Sequence, residues 1–313
     1  MTQFTFHFKS LSVPIRIPVA LVLMLSMCIA SCNDGQKKND TATDKIPSVA
    51  VSIPPLEYFA KAIGGDSLHI TTLLPSGTDP ETFEPGMGTL RDLNRSGALI
   101  MSGELPFEHS VASKLHQNNP DLEIFPMSPG IDLIYGTHSH KHDHENGHDH
   151  EDASDPHIWA SVKNARTIAG NMLQALCRIA PEHETYYRSR HRNLIQRIDS
   201  LDENFRLRLS HLPSRTFLIW HPSLSYFARD YGLQQIAFNV ENKETSPLQL
   251  QQSINRANAG QPLAFFIPEG LDQRQSASIT AATGMEPVCV NLMSTDWEKD
   301  MQTIVSSLTA TSK

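Results

Sequence analysis

Between Pro181 and about His211 the chain carries Tyr187, Leu194, Ile198, Leu201, Phe205 and Leu209 at helical spacing, with no glycine or proline to break the run. Pro181 suits a first helical turn, where its missing N–H costs nothing. Such a helix holds roughly 30 residues and spans about 45 Å at 1.5 Å per residue. That is longer than the core of a small domain needs. The pattern therefore predicts a chain divided in two, with a rigid spine over 181–211 and a separate body of structure on each side.

The flanks share one grammar. Before the spine, strands are predicted at Val49–Ile53, Leu68–Leu74, Ala98–Met101 and Leu122–Phe125. Helices over Leu56–Ile63, Met87–Ser96, Phe107–Leu115 and Val162–Ile179 alternate with them. After it come strands at Thr216–Trp220, Gln235–Asn239, Leu263–Ile267 and Val288–Val290, interleaved with helices at Leu224–Tyr231, Pro247–Ala257 and Gln273–Thr283. A helix over 297–309 closes the chain. Strands alternating with helices predict an α/β fold, each lobe holding a mainly parallel sheet covered by helices. The expected division is an N-terminal lobe over 48–180, the spine over 181–211 and a C-terminal lobe over 212–313.

Residues 1–47 belong to neither lobe. Lys9 and Arg16 precede an apolar run from Ile17 to Ala30, too short for the roughly 20 residues of a membrane-spanning helix, so 1–31 is expected to be a removable signal. Ile29-Ala30-Ser31-Cys32 resembles the lipobox of bacterial lipoproteins, which predicts a lipid on Cys32 and a polar tether over 32–47. The plain alternative is an ordinary secretory signal in which Cys32 is incidental. Residues 1–31 contain two bases and no acid, so their removal takes the formal charge from −8 to −10. That sign argues against a nucleic-acid partner. Cys177 and Cys289 both lie among apolar neighbours and are expected as buried small hydrophobes rather than a disulfide.

The chemistry concentrates in two places. One is the tract over 137–154, where His138, His140, His142, His144, His148 and His150 alternate with acids. Imidazole is the commonest ligand for zinc-like ions, so the tract reads as metal binding, against a plain solvated loop. The other is the set of residues beyond the strands' carboxyl ends, where open α/β sheets bind their ligands. Glu81 follows the second strand; His157, beside Pro156, follows the histidine tract; His221, beside Pro222, follows the fifth strand. Glu269 and Asn291 follow the last two strands. Any one of these is as readily a structural residue; together, two imidazoles and one or two carboxylates make a plausible zinc or manganese site.

The chain resembles the periplasmic metal-binding proteins of high-affinity zinc and manganese ABC importers, the cluster A-I solute-binding family. The likeness spans about 48–308 and rests on Ile53-Pro54-Pro55, Ala62-Ile63-Gly64-Gly65-Asp66 and Leu74-Pro75-Ser76-Gly77-Thr78-Asp79-Pro80 through Glu84-Pro85. It continues in the His-rich loop, Asp155-Pro156-His157-Ile158-Trp159, the spine, and His221 with Tyr226-Phe227-Ala228. The loop favours the zinc branch. The resemblance implies His157 and His221 as metal ligands. Where the family usually has Asp-Pro-His, this chain has Asp79-Pro80-Glu81, so a carboxylate replaces an imidazole. The family's C-terminal acid would fall near Asn291, a poor ligand, and Glu269 is the candidate substitute.

The expected function is thus capture of Zn2+ between the lobes by a monomeric, membrane-anchored lipoprotein of the periplasm or cell envelope. The expected partners are an ABC permease and its cytoplasmic ATPase, with the histidine loop as an accessory site. Glu81 keeps Mn2+ or ferrous iron as the alternative cargo. A secreted zinc hydrolase with Glu269 as general base is the rival from another class, but the chain has no nucleophile motif. A metal buffer or adhesin with no permease is a third reading.

Overall fold

The computed structural model describes residues 46–75, 77–93, 95–136, 154–239 and 246–310. The expected signal over 1–31, Cys32, the tether as far as residue 45 and the six histidines over 138–150 lie outside the described residues.

The first sheet contains β1 (Ser48–Val51), β2 (His69–Thr72), β3 (Ala98–Met101) and β4 (Glu123–Pro126), all parallel, in the order β2-β1-β3-β4. The second contains β5 (Thr216–Ile219), β6 (Gln234–Ala237), β7 (Phe265–Pro268) and β8 (Pro287–Val290), parallel again, in the order β6-β5-β7-β8. The two sheets repeat one topology. In each, the chain leaves the first strand toward one edge and then crosses to the other, which opens a crevice at the carboxyl ends of the two central strands. β3 and β5 are buried at every position, as parallel strands covered on both faces should be.

Helices α1 (Pro54–Gly64), α2 (Met87–Leu93), α3 (Pro106–Asn118) and α4 (Val162–Ile179) accompany the first sheet, and α6 (Ser225–Tyr231), α7 (Pro247–Gly260) and α8 (Gln273–Thr283) the second. Between these sets runs α5 (Glu184–Leu209), 26 residues long and about 39 Å at 1.5 Å per residue. Its buried residues are Tyr187, Leu194, Ile198, Leu201, Phe205 and Leu209, the stripe expected from the sequence. The start differs from expectation: Pro181–His183 forms a short 3₁₀ turn, closed by a His183 N–H bond to the Ala180 carbonyl (3.1 Å), before α-helical bonding begins.

From Ile46 onward the chain is one compact unit. A single apolar core runs from Val49 of β1 through Ile198 of α5 to Phe217 of β5 and Leu308 of the last helix, α9 (Trp297–Ala310). A smaller cluster of Leu218, Ile236, Phe265, Ile267 and Ile279 fills another part of the second sheet's surroundings. The closing helix returns to the first sheet's helices. Trp297 lies 5.6 Å from Tyr58 and 5.3 Å from Phe59 of α1, ring centre to ring centre. Its indole N–H donates to the Trp159 carbonyl (2.7 Å), and the Trp159 indole donates to the Leu292 carbonyl (2.9 Å).

One expectation is corrected. Cys177 is only partly buried and Cys289 is exposed; both are free thiols. β8 is an edge strand, and successive side chains on a strand point to opposite faces, so burying Val290 turns Cys289 outward.

The carboxylate of Glu108, fully buried at the start of α3, gathers the turn after β3. It accepts from the Ser102 backbone (2.8 Å) and hydroxyl (2.9 Å), from the Gly103 N–H (2.7 Å) and from the Leu105 N–H (3.3 Å). Glu108→Ala strands these buried donors, each costing about 1–3 kcal/mol before relaxation. The variant is expected to lose about 2–4 kcal/mol, read as a lower urea midpoint at unchanged slope.

Candidate metal centre

Three loops carry the chemistry. After β2 the chain stays pinned to the sheet, Leu73 N–H donating to the Val51 carbonyl (2.8 Å) and Leu74 N–H to the Ser52 carbonyl (3.0 Å). It then turns at Asp79, whose carboxylate accepts the Glu81 N–H (2.9 Å), and this short local turn presents the Glu81 side chain. After β5, the Trp220 N–H holds to the Phe266 carbonyl (2.8 Å), and His221 follows at the strand's carboxyl end, ahead of Pro222.

The third loop is the most heavily braced. Ile158 and Trp159 are buried anchors. The Asp155 side chain accepts the His157 N–H (3.0 Å) and lies 2.9 Å from the same residue's Nδ1. The Asp155 N–H donates to the Ile134 carbonyl (2.7 Å), and its own carbonyl accepts the Tyr226 hydroxyl (2.7 Å) from α6. Tyr135 and Ser154, at the two ends of the His-rich segment, form an antiparallel bridge.

These loops bring Glu81, His157 and His221 together, with one donor atom from each inside a common distance of 4.8 Å. His221 Nε2 lies 3.0 Å from Glu81 Oε1, and His157 Nε2 lies 3.8 Å from the same oxygen. Tetrahedral zinc with bonds of about 2.0–2.1 Å needs donors about 3.3 Å apart, so the spacing fits a small cation between them. His157 is 3 % exposed. Burial disfavours its charged form, but the hydrogen bond and charge of Asp155 outweigh this, aided by Glu81 and Asp79, and hold its pKa above the usual value. Burial likewise works against the Asp155 carboxylate, and the contact with His157 overcomes it, leaving that pKa low. A carboxylate at Nδ1 favours the tautomer whose Nε2 lone pair faces the other two donors.

Glu269 stands apart from this trio. It lines the same cavity, but its carboxylate accepts the side-chain N–H of Asn291 (2.8 Å). The cavity has a volume of about 740 Å³, with Trp159, Trp220, Asn239 and Leu271 also in its walls. The roles of Asp155 and Tyr226 are additions to the sequence reading. An aspartate two residues before a histidine is the local signal for the first; nothing local marks the second. Among the described residues no helix is long and apolar enough to cross a membrane.

A profile of the ZnuA family, described as zinc-uptake complex component A, periplasmic, matches residues 49–311. A metal ABC transporter substrate-binding lipoprotein of Lactococcus lactis is 24% identical over 86% of this chain and 84% of its own length. The manganese ABC transporter substrate-binding lipoprotein PsaA of Streptococcus anginosus is 23% identical over 86% of this chain and 87% of its own. A crystal structure of a ZnuA 138–173 deletion mutant with zinc bound superposes with a TM-score of 0.75 at 27% identity, covering 84% of this chain and 96% of that one.

In Asp155→Asn the burial of His157 acts without the neighbouring charge, so its pKa falls below that of the unaltered protein. An NMR titration of the imidazole in the metal-free protein checks this, and an unchanged pKa counts against Asp155 as its controlling partner.

Proposed function

The chain belongs to the ZnuA family of periplasmic zinc-uptake components, whose members are substrate-binding parts of ABC importers and not enzymes, and from that premise we propose that it captures Zn2+ and delivers it to a permease. The observation that carries the reading is the three-donor cluster, in which Glu81, His157 and His221 act as ligands to the cargo. Two imidazoles and a carboxylate at near-tetrahedral spacing favour zinc over manganese, which prefers more oxygen ligands in octahedral geometry. The single hard ligand, Glu81, is the feature that keeps manganese as the second reading.

The protein acts outside the cytoplasm, held to a membrane by a lipid on Cys32 with the tether beyond it. That the Lactococcus relative is a lipoprotein supports this anchoring. The lobes over 48–180 and 212–313 enclose the ion, and the spine over 181–211 keeps them in register. The histidines over 138–150 serve as an accessory, weaker collecting site. Glu269 is the reserve fourth ligand, available once it leaves Asn291. Release requires the permease, with its ATPase, to pull the donors apart.

Metal competition on the chain beginning at Cys32 tests the reading. One zinc ion binds tightly, survives deletion of 138–150, and is largely lost in His157→Ala and in His221→Ala. Tight binding that vanishes with the deletion but persists in both point variants overturns the cluster as the main site. Manganese displacing zinc at equal concentration moves the assignment to the second reading.

A further inference from the structure

On the metal role proposed for Glu81, His157 and His221, zinc receives three donors from the protein. Zinc sites with three protein ligands fill a fourth position with water. Two imidazoles, a carboxylate and a water also make up hydrolytic zinc sites, where a neighbouring base takes the water's proton. The group that faces this water therefore decides whether a site only holds its ion or also ionises the ligand on it.

The cavity beside the cluster, about 740 Å³, is lined by His157, His221, Asn239, Glu269 and Asn291 among others. The Asn291 amide is used at both ends: its N–H donates to Glu269 (2.8 Å) and its oxygen accepts the Met293 N–H (2.9 Å). That pairing also draws the Glu269 carboxylate toward Asn291. Asn239 differs from both. Its side-chain oxygen is buried and receives no hydrogen bond from the described residues. A buried acceptor left unpaired is costly, so this atom calls for a donor from outside the chain. The main chain sets it beside the cluster. Asn239 follows β6, and its N–H donates to the carbonyl of Trp220 (2.7 Å), the residue immediately before His221. The Phe238 N–H donates to the same carbonyl (3.2 Å).

We propose that Asn239 is a positioning residue for the fourth ligand on the metal. Its amide oxygen accepts a hydrogen bond from a water bound to zinc and keeps that ligand as water rather than hydroxide. The inference rests on the metal role of Glu81, His157 and His221. Metal-bound water is a stronger hydrogen-bond donor than the hydroxide it would become, so a facing acceptor favours the water form. An amide oxygen is an acceptor that takes no proton at neutral pH, so it holds the water without acting as a general base. The cargo then carries one exchangeable ligand, and no nucleophile is made on it.

Cobalt(II) tests this, since it occupies zinc-type sites and, unlike zinc, absorbs visible light. In the Co2+-loaded chain the spectrum changes at the alkaline pH where the bound water ionises. Asn239→Leu removes the acceptor and lowers that pH by about half a unit or more, and Asn239→Asp, an anionic acceptor of the same shape, raises it. Zinc affinity falls about fivefold in Asn239→Leu. A crystal structure of the zinc-loaded chain places a zinc-bound water within about 3.0 Å of the Asn239 oxygen. Midpoints that stay put in both variants, or shift the same way in both, overturn the proposal. So does a zinc-loaded structure in which Glu269 or Asn239 itself takes the fourth position, or in which the water on Asn239 does not touch zinc. Absence of tight zinc binding in the unaltered chain overturns instead the metal role of the cluster.

Discussion

Asp155 is a fully buried carboxylate, and a buried charge persists only if its surroundings repay the loss of water. Here the repayment comes from His157, through both the backbone N–H and the ring. The same residue's main chain is tied to Ile134 on one side and to the Tyr226 hydroxyl on the other. Tyr226 belongs to a helix that follows β5, so the group that orients the imidazole is itself held from the second sheet's side of the molecule. Removing the Tyr226 hydroxyl therefore loosens an imidazole it never touches. The cluster depends on the two halves being assembled, not on one loop alone.

That dependence suits the way the halves join. One apolar core extends through α5 into both sheets, and the Trp297–Trp159–Leu292 hydrogen bonds stitch the C-terminal segment to the loop bearing His157. Opening such a seam widely would expose the tryptophans and break two indole hydrogen bonds at once. A scaffold of this kind resists large hinge motion, and close-packed interiors transmit small shifts stiffly. The donors already lie near the spacing a cation needs, so little reorganisation has to be offset on binding. The same stiffness means that moving the Glu81 loop against His221 by about an ångström is enough to spoil the geometry. Under the proposed function, release is then a matter of local displacement rather than of unfolding the seam.

The sequence made much of this frame legible because periodicity reports burial. All six apolar residues expected along the spine are buried in α5, and the bounds of α4 and α8 are those of the expected helices. Glu81, His157 and His221 were legible for a different reason: each follows a strand or an anchored turn where open sheets place ligands. Other features required the third dimension. The contact from Tyr226 to Asp155 joins residues 71 positions apart, and neither periodicity nor spacing encodes it. Glu269 sits at the right end of the right strand, yet its direction is set by Asn291 on the neighbouring strand's loop. Cys289 looks apolar by its neighbours, but an edge strand has an outer face that composition does not reveal.

The bracing around Asp155 also separates the three-donor cluster from the His-rich segment. Tyr135 and Ser154 flank the His-rich segment and are bridged to each other, and the Ser154 hydroxyl is further held by Glu104. A pull transmitted along the segment meets this bridge, then the Asp155–Ile134 hydrogen bond, then the Tyr226 hydroxyl, before it reaches His157. Each of these would have to yield first. A change within residues 138–150 can therefore leave the geometry of the built cluster fixed. On the proposed accessory role, the segment raises the local metal concentration without altering the affinity of the cluster.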